Sequence, residues 1–217
     1  PQREIAAWLP EADSDAAARV GLAVAPDFDA SRHVFVSYAR VDAAGTRRGR
    51  VVRFREVAGS LGEMAVVIDD LPAEPGAPLV RVGPDGKLYV GTSALDDADA
   101  GNLASYAGKI LRLNPDGTVP ADSPVTSSPV HAFGFRNLRG FGWSEAGVLW
   151  HAEGDREASW LGRAVAGAPA ERLIELGSSA PSGLAFTLEA SASEWRGSLF
   201  VGLPDQQCVL RLSGVDA

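Results

Sequence analysis

Short apolar runs, closed by glycine or proline turns, recur along the chain in a constant order. The first run of each cycle reads Gly21-Leu22-Ala23-Val24-Ala25-Pro26-Asp27, Leu79-Val80-Arg81-Val82-Gly83-Pro84-Asp85, Leu138-Arg139-Gly140-Phe141-Gly142-Trp143 and Pro181-Ser182-Gly183-Leu184-Ala185-Phe186. Anchored on Val24, Val82, Phe141 and Phe186, the cycles are 58 (82 − 24), 59 (141 − 82) and 45 (186 − 141) residues long. These lengths match a propeller blade of roughly 40 to 50 residues with loop insertions. The pattern therefore predicts an all-β fold, a β-propeller of four-stranded blades with about four repeats visible.

Within each cycle further strands follow. In the first, residues 34–38 are β-branched and aromatic, residues 49–55 alternate charge with apolar groups, and residues 64–68 close the set. Arg47, Arg48, Arg50, Arg53 and Arg55 are read as the wet face of the second of these strands. The second cycle has residues 87–90 after a Pro84-Asp85-Gly86 turn, then 108–113 and 130–133; here proline presets φ and glycine accepts a positive φ. The third has 148–151, 161–165 and 171–176, and the fourth has 198–202 and 208–212, without an outer strand. The expected organisation is one domain over 1–217, with repeats at about 20–70, 78–133, 137–176 and 181–214. Residues 1–10, through Glu4-Ile5-Ala6-Ala7-Trp8-Leu9, read as the last strand of a truncated preceding blade, and 13–19 as a loop. A β-sandwich is the competing fold; recurrence of strand order favours the propeller.

Composition narrows the partners. Apolar residues make up 46% and charged residues 22% of the 217, enough for a sizeable core, and 24 glycines with 14 prolines suit many short strands joined by tight turns. A net charge of −8 argues against nucleic acid. No stretch approaches the roughly 18 to 20 apolar residues of a membrane span. Cys208 stands alone, so an internal disulfide and a cysteine-rich metal site are both excluded. His33, His131 and His151 lack metal-ligand spacing. His33 is expected at the solvent, His131 near the central channel and His151 at a strand end. Asp96, Asp97 and Asp99 lack the spacing of a calcium loop and read as a solvated acidic loop.

The blade segments resemble the glucose/sorbosone dehydrogenases, soluble quinoproteins that oxidise aldose sugars with pyrroloquinoline quinone (PQQ) and calcium on a six-bladed propeller. The resemblance is carried by Gly21 to Phe28, by Val82-Gly83-Pro84-Asp85-Gly86-Lys87-Leu88-Tyr89-Val90-Gly91-Thr92, by the run from Asn102 to Asp122, and by Gly134-Phe135-Arg136-Asn137. Residues 180–186 and 194–202 extend it. On this likeness the chain looks like a partial or shortened six-bladed propeller. The resemblance implies PQQ and calcium as cofactors, a periplasmic or extracellular location, and contact of the anionic quinone with Arg136 and Asn137, since a guanidinium fork suits carboxylates.

Departures gather at the residues between blades. The general-base histidine that the resemblance implies aligns at or near Pro75, and proline accepts no proton. An expected acid aligns with Ala94, a calcium-holding His-Gly-Pro segment with Glu153-Gly154-Asp155, and an expected basic residue with Asp205. Two functions stay open. One is a catalytically degenerate propeller that binds a carbohydrate or a protein; the other is a PQQ- and calcium-dependent aldose dehydrogenase, seen whole or as a fragment.

Overall fold

A computed structural model of the chain describes residues 6–13, 20–73, 76–154, 157–187 and 193–215. Four antiparallel sheets follow one another in chain order, and in each the strands lie side by side in sequence order. The first holds β1 (Val20–Val24), β2 (His33–Val41), β3 (Arg47–Val57) and β4 (Ser60–Pro72). The second holds β5 (Leu79–Val82), β6 (Leu88–Gly91), β7 (Lys109–Leu113) and β8 (Val130–Phe133). The third holds β9 (Leu138–Trp143), β10 (Leu149–Gly154), β11 (Ser159–Arg163) and β12 (Ile174–Gly177). The fourth has three strands among the described residues, β13 (Leu184–Phe186), β14 (Leu199–Leu203) and β15 (Cys208–Leu212).

Successive sheets meet through their first strands, β1 against β5, β5 against β9 and β9 against β13. This is the blade arrangement of a β-propeller, with meander sheets whose first strands surround an axis. Alternating side chains bury both faces of the inner blades. Phe35, Val51 and Leu71 pack with Val80, Leu88, Val90 and Leu111 between the first two sheets; Tyr89, Ile110 and Ala132 pack with Phe135, Phe141 and Leu149 between the second and third. Trp150, Ala152 and Leu161 meet Leu184, Leu199 and Val201 between the third and fourth. Each fully buried side chain of this size contributes roughly 1.5 to 3 kcal/mol.

The basic stretch of β3 differs from expectation. Arg50 shares a face with buried Val52 and Phe54, and its charge is met by Asp69 at 2.7 Å and Glu11 at 3.3 Å. Arg40 also pairs with Asp69, at 3.0 Å. Ala7 and Leu9 pack over Val36, Tyr38, Val52 and Phe54, and this removes the fully wet face that alternation alone suggests. Strand β4 is longer than residues 64–68, but it is irregular: its pairing with β3 shifts register three times, and Glu63 and Asp70 adopt left-handed backbone at φ 48° and 55°.

Two short helices interrupt the sheets, α1 (Phe28–Ser31) and α2 (Asp97–Gly101). The acidic cluster is therefore a helix, capped by the Asp96 carboxylate, which accepts from Asp99 N at 2.8 Å. Of the segment read as a preceding strand, residues 6–9 form no ladder; one bond, from Leu61 N to Ala6 O at 3.0 Å, ties it to β4. Glu4 and Ile5, like most of 13–19, lie outside the described residues.

Candidate functional site

The segment entering β9 is fixed at nearly every backbone group. Gly134 N and Phe135 N donate to Gly108 O at 3.0 and 3.1 Å, and the carbonyls of Phe135 and Arg136 accept from Ala94 N at 3.2 and 3.0 Å. Arg136 N donates to Glu153 Oε2 at 3.3 Å, Leu138 N to Ser93 Oγ at 3.0 Å, and Gly154 N to Asn137 O at 2.9 Å. Phe135 is wholly buried beneath. Gly108 is required here: its φ is 65°, and a Cβ would stand 2.6 Å from Phe135 O. Such tethering holds Arg136 and Asn137 outward on a rigid base.

Their side chains line a cavity of about 220 Å³ with Asp97, Glu153, Gly154, Glu157, Trp160 and Arg172. Arg136 Nε lies 3.6 Å from Asp97 Oδ1, both side chains exposed. Glu153, on β10, is 2% exposed, and its Oε1 accepts from Arg172 Nε at 2.5 Å. Asn137 Oδ1 is buried and has no hydrogen-bond partner among the described residues. An orphan acceptor of that kind costs about 1 to 3 kcal/mol unless something reaches it.

Asp97 owes its place to Lys109. That lysine is fully buried on β7, and its Nζ donates to the carbonyls of Asp99, Ala100 and Ala107 at 3.0, 2.9 and 2.5 Å, pinning α2 to the sheet. Burial pushes its pKa down to about 8. A second cavity of about 190 Å³ opens at the starting ends of the inner strands, lined by Val20, Leu79, Leu138, Arg139 and Ser182. Asn137 lines it too, forming the wall between the two.

The histidines stand elsewhere. His131 is on β8, the strand of its sheet farthest from the axis, with its ring edge-on to Tyr89 at 5.3 Å, so it is not a channel residue. His151 lies within β10, wholly buried and T-stacked on Phe135, with Nε2 2.9 Å from Glu171 O. His33 borders a cavity between the first two sheets, and burial lowers its pKa. Ala94, where an acid was expected, is buried and serves through its backbone N–H. Asp205 is exposed in a short 3₁₀ turn, where its carboxylate accepts from Ala180 N at 3.4 Å. Pro75 and Asp155 lie outside the described residues.

A family model described as Glucose / Sorbosone dehydrogenase matches residues 11–168. The chain belongs to this glucose/sorbosone dehydrogenase family. Among curated members, quinoprotein glucose dehydrogenase B of Acinetobacter calcoaceticus is 24% identical over 180 residues, 67% of this chain and 38% of that protein. The fold matches apo aldose sugar dehydrogenase of Escherichia coli with a TM-score of 0.85 at 20% identity, covering 97% of this chain and 74% of the other. The PQQ-bound aldose sugar dehydrogenase of Streptomyces coelicolor gives 0.80 at 23%, covering 94% and 66%. The chain spans 34% and 38% of the length of the curated relatives it matches.

Within this family member, the described residues of the Arg136 cavity do not fit an anionic quinone. Of the two described guanidinium groups in the lining, Arg172 is paired with buried Glu153 at 2.5 Å, and Arg136 faces Asp97 at 3.6 Å with both side chains exposed. An anionic quinone would meet a carboxylate beside each of these described guanidinium groups. Nor does any group of three or more His, Cys, Asp or Glu side chains among the described residues form a metal site. What the lining does offer is neutral-polar recognition: an amide, a carboxylate and guanidinium pair, and the indole of Trp160.

Trp160 and Arg172 escape a motif reading. Trp160 sits one residue before the predicted strand 161–165, and Arg172 lies in a stretch read as strand that is irregular until Ile174. The alternation of Ser159, Trp160 and Leu161 is the one signal that could have placed the indole on the cavity side.

Proposed function

We propose that this segment is a carbohydrate-binding propeller that has lost quinone-dependent turnover. A neutral sugar fits the cavity of Asn137, Glu153, Arg172 and Trp160. Hydroxyls bridge the amide and the carboxylate and guanidinium pair, while the indole covers an apolar ring face, as small polar ligands are usually oriented in pockets. The observation that carries the reading is that both described guanidinium groups of the cavity stand beside a carboxylate, Arg172 at 2.5 Å from Glu153 and Arg136 at 3.6 Å from Asp97. Family resemblance supports a periplasmic or extracellular setting; no described helix is long and apolar enough to cross a membrane.

Isothermal titration with glucose, xylose and galactose, followed by a dye-reduction assay after addition of PQQ and calcium, tests both halves. Saturable sugar binding without dye reduction is the expected outcome. Sugar-dependent dye reduction overturns the loss of turnover, and the absence of saturable binding by all three sugars overturns the binding role.

A further inference from the structure

At the opposite ends of the inner strands lies a wider cleft of about 450 Å³, bordered by all four of them, including Leu22, Val24, Arg81, Trp143 and Phe186. Apart from Arg81, its lining is entirely aliphatic, aromatic, glycine or proline. Trp143 makes a fixed wall, edge-on to Tyr89 at 4.7 Å and to Phe141 at 6.0 Å.

Arg81 is set apart from the other basic groups. Among the described residues each arginine except Arg48 and Arg81 has an ionic, hydrogen-bonded or ring partner, as Arg112 has in Asp85 and Asp122, or Arg211 in Ser198 and Trp195. Both are exposed, but only Arg81 borders an apolar cleft. With 28 acidic residues against 20 basic ones, the chain has no shortage of counter-charges. The guanidinium still reaches solvent, yet protein crowds it enough that burial lowers its pKa, with no carboxylate acting to restore it. The acid nearest in sequence, Asp85, is taken by Arg112 Nε at 2.8 Å and by the Tyr89 hydroxyl at 3.1 Å.

We propose that this cleft binds a small organic monocarboxylate, its carboxylate taken by the fork of Arg81 and its apolar body laid against Trp143, Phe186 and Leu22. A guanidinium and a carboxylate meet through two parallel hydrogen bonds, and such pairs are strong where water is thinned. A cleft of 300 to 1,000 Å³ or so is the usual size for a small ligand. Inorganic phosphate suits the site less, because it leaves the apolar walls uncovered and carries more charge than one guanidinium neutralises. The site is remote from Asn137 and stands independently of the sugar reading.

The test is titration calorimetry of the chain with sodium benzoate, benzyl alcohol and inorganic phosphate, repeated on Arg81→Gln and Arg81→Lys, with circular dichroism to check folding. Benzoate should bind saturably and in preference to the other two. Arg81→Gln should weaken it about tenfold or more, and Arg81→Lys, which keeps the charge and loses the fork, should fall between. Affinity for benzyl alcohol should not change. No saturable benzoate binding, equal binding by all three proteins, or phosphate binding as tight as benzoate overturns the proposal. Should Arg81→Gln fail to fold, Arg81→Lys against the parent decides, equality again overturning it.

Discussion

Glu153 and Arg172 meet at 2.5 Å with the carboxylate nearly sealed from water and the guanidinium partly open to it. Removing the charge from the buried side leaves Arg172 to solvent, while removing the arginine strands a carboxylate. Glu153→Gln is therefore expected to cost about 1 to 2 kcal/mol, and Arg172→Ala more than Glu153→Gln, the exposed arginine tempering both values. Urea unfolding of the two variants gives the comparison.

Lys109 predicts an alkaline dependence of stability. Its folded pKa, near 8, lies below the ordinary lysine value of 10.5, because burial disfavours the ammonium. Between those values the unfolded chain binds more protons, so this group's contribution to stability rises as pH rises from 8 toward 10.5. The gain is up to about 3 kcal/mol. Unfolding free energies of the parent and Lys109→Met, compared at both ends of that window, should diverge in the parent's favour as pH rises. A difference independent of pH would rule out the depressed pKa.

Gly162 allows the backbone before β12 to lie against β11. A Cβ there would stand 1.5 Å from Glu171 O and 2.8 Å from His151 Nε2, so Gly162→Ala should destabilise by about 3 kcal/mol or more. Gly62 on β4 has open space and an ordinary φ, and Gly62→Ala should be neutral or stabilising by about half a kcal/mol. Thermal melts of the pair separate close approach from general intolerance of glycine replacement.

Trp160→Ala should lower sugar affinity about tenfold through loss of the indole face, with little change in the melting transition because the side chain is only partly buried. Unchanged calorimetric affinity would move the sugar away from this cavity.

The inner strands were legible because Leu79-Val80-Arg81-Val82 and Leu138-Arg139-Gly140-Phe141 carry their own pattern and turn chemistry. What periodicity missed was set by partners far along the chain. The acidic run at 96–99 is a helix because Lys109 gathers its carbonyls, and residues 171–173 run against β11, with Glu171 N and Leu173 N donating to Arg163 O and Leu161 O, while Glu171 O faces His151. His151 falls in mid-strand for a similar reason, since Phe135 supplies the ring that buries it. The Arg136 and Asn137 positions came from likeness to a family, whereas the contact of Arg136 with Asp97, and the orphaned Asn137 oxygen, depend on geometry that no spacing encodes.

The irregular course of β4 bears on solubility. It closes the outer edge of the first sheet and carries exposed Met64 and Val66. A flat strand of thirteen residues with that composition would be a template for edge-to-edge aggregation. Left-handed turns at Glu63 and Asp70, with acids at 63, 69 and 70, break the row of free N–H and C=O groups into pieces too short for another strand to follow.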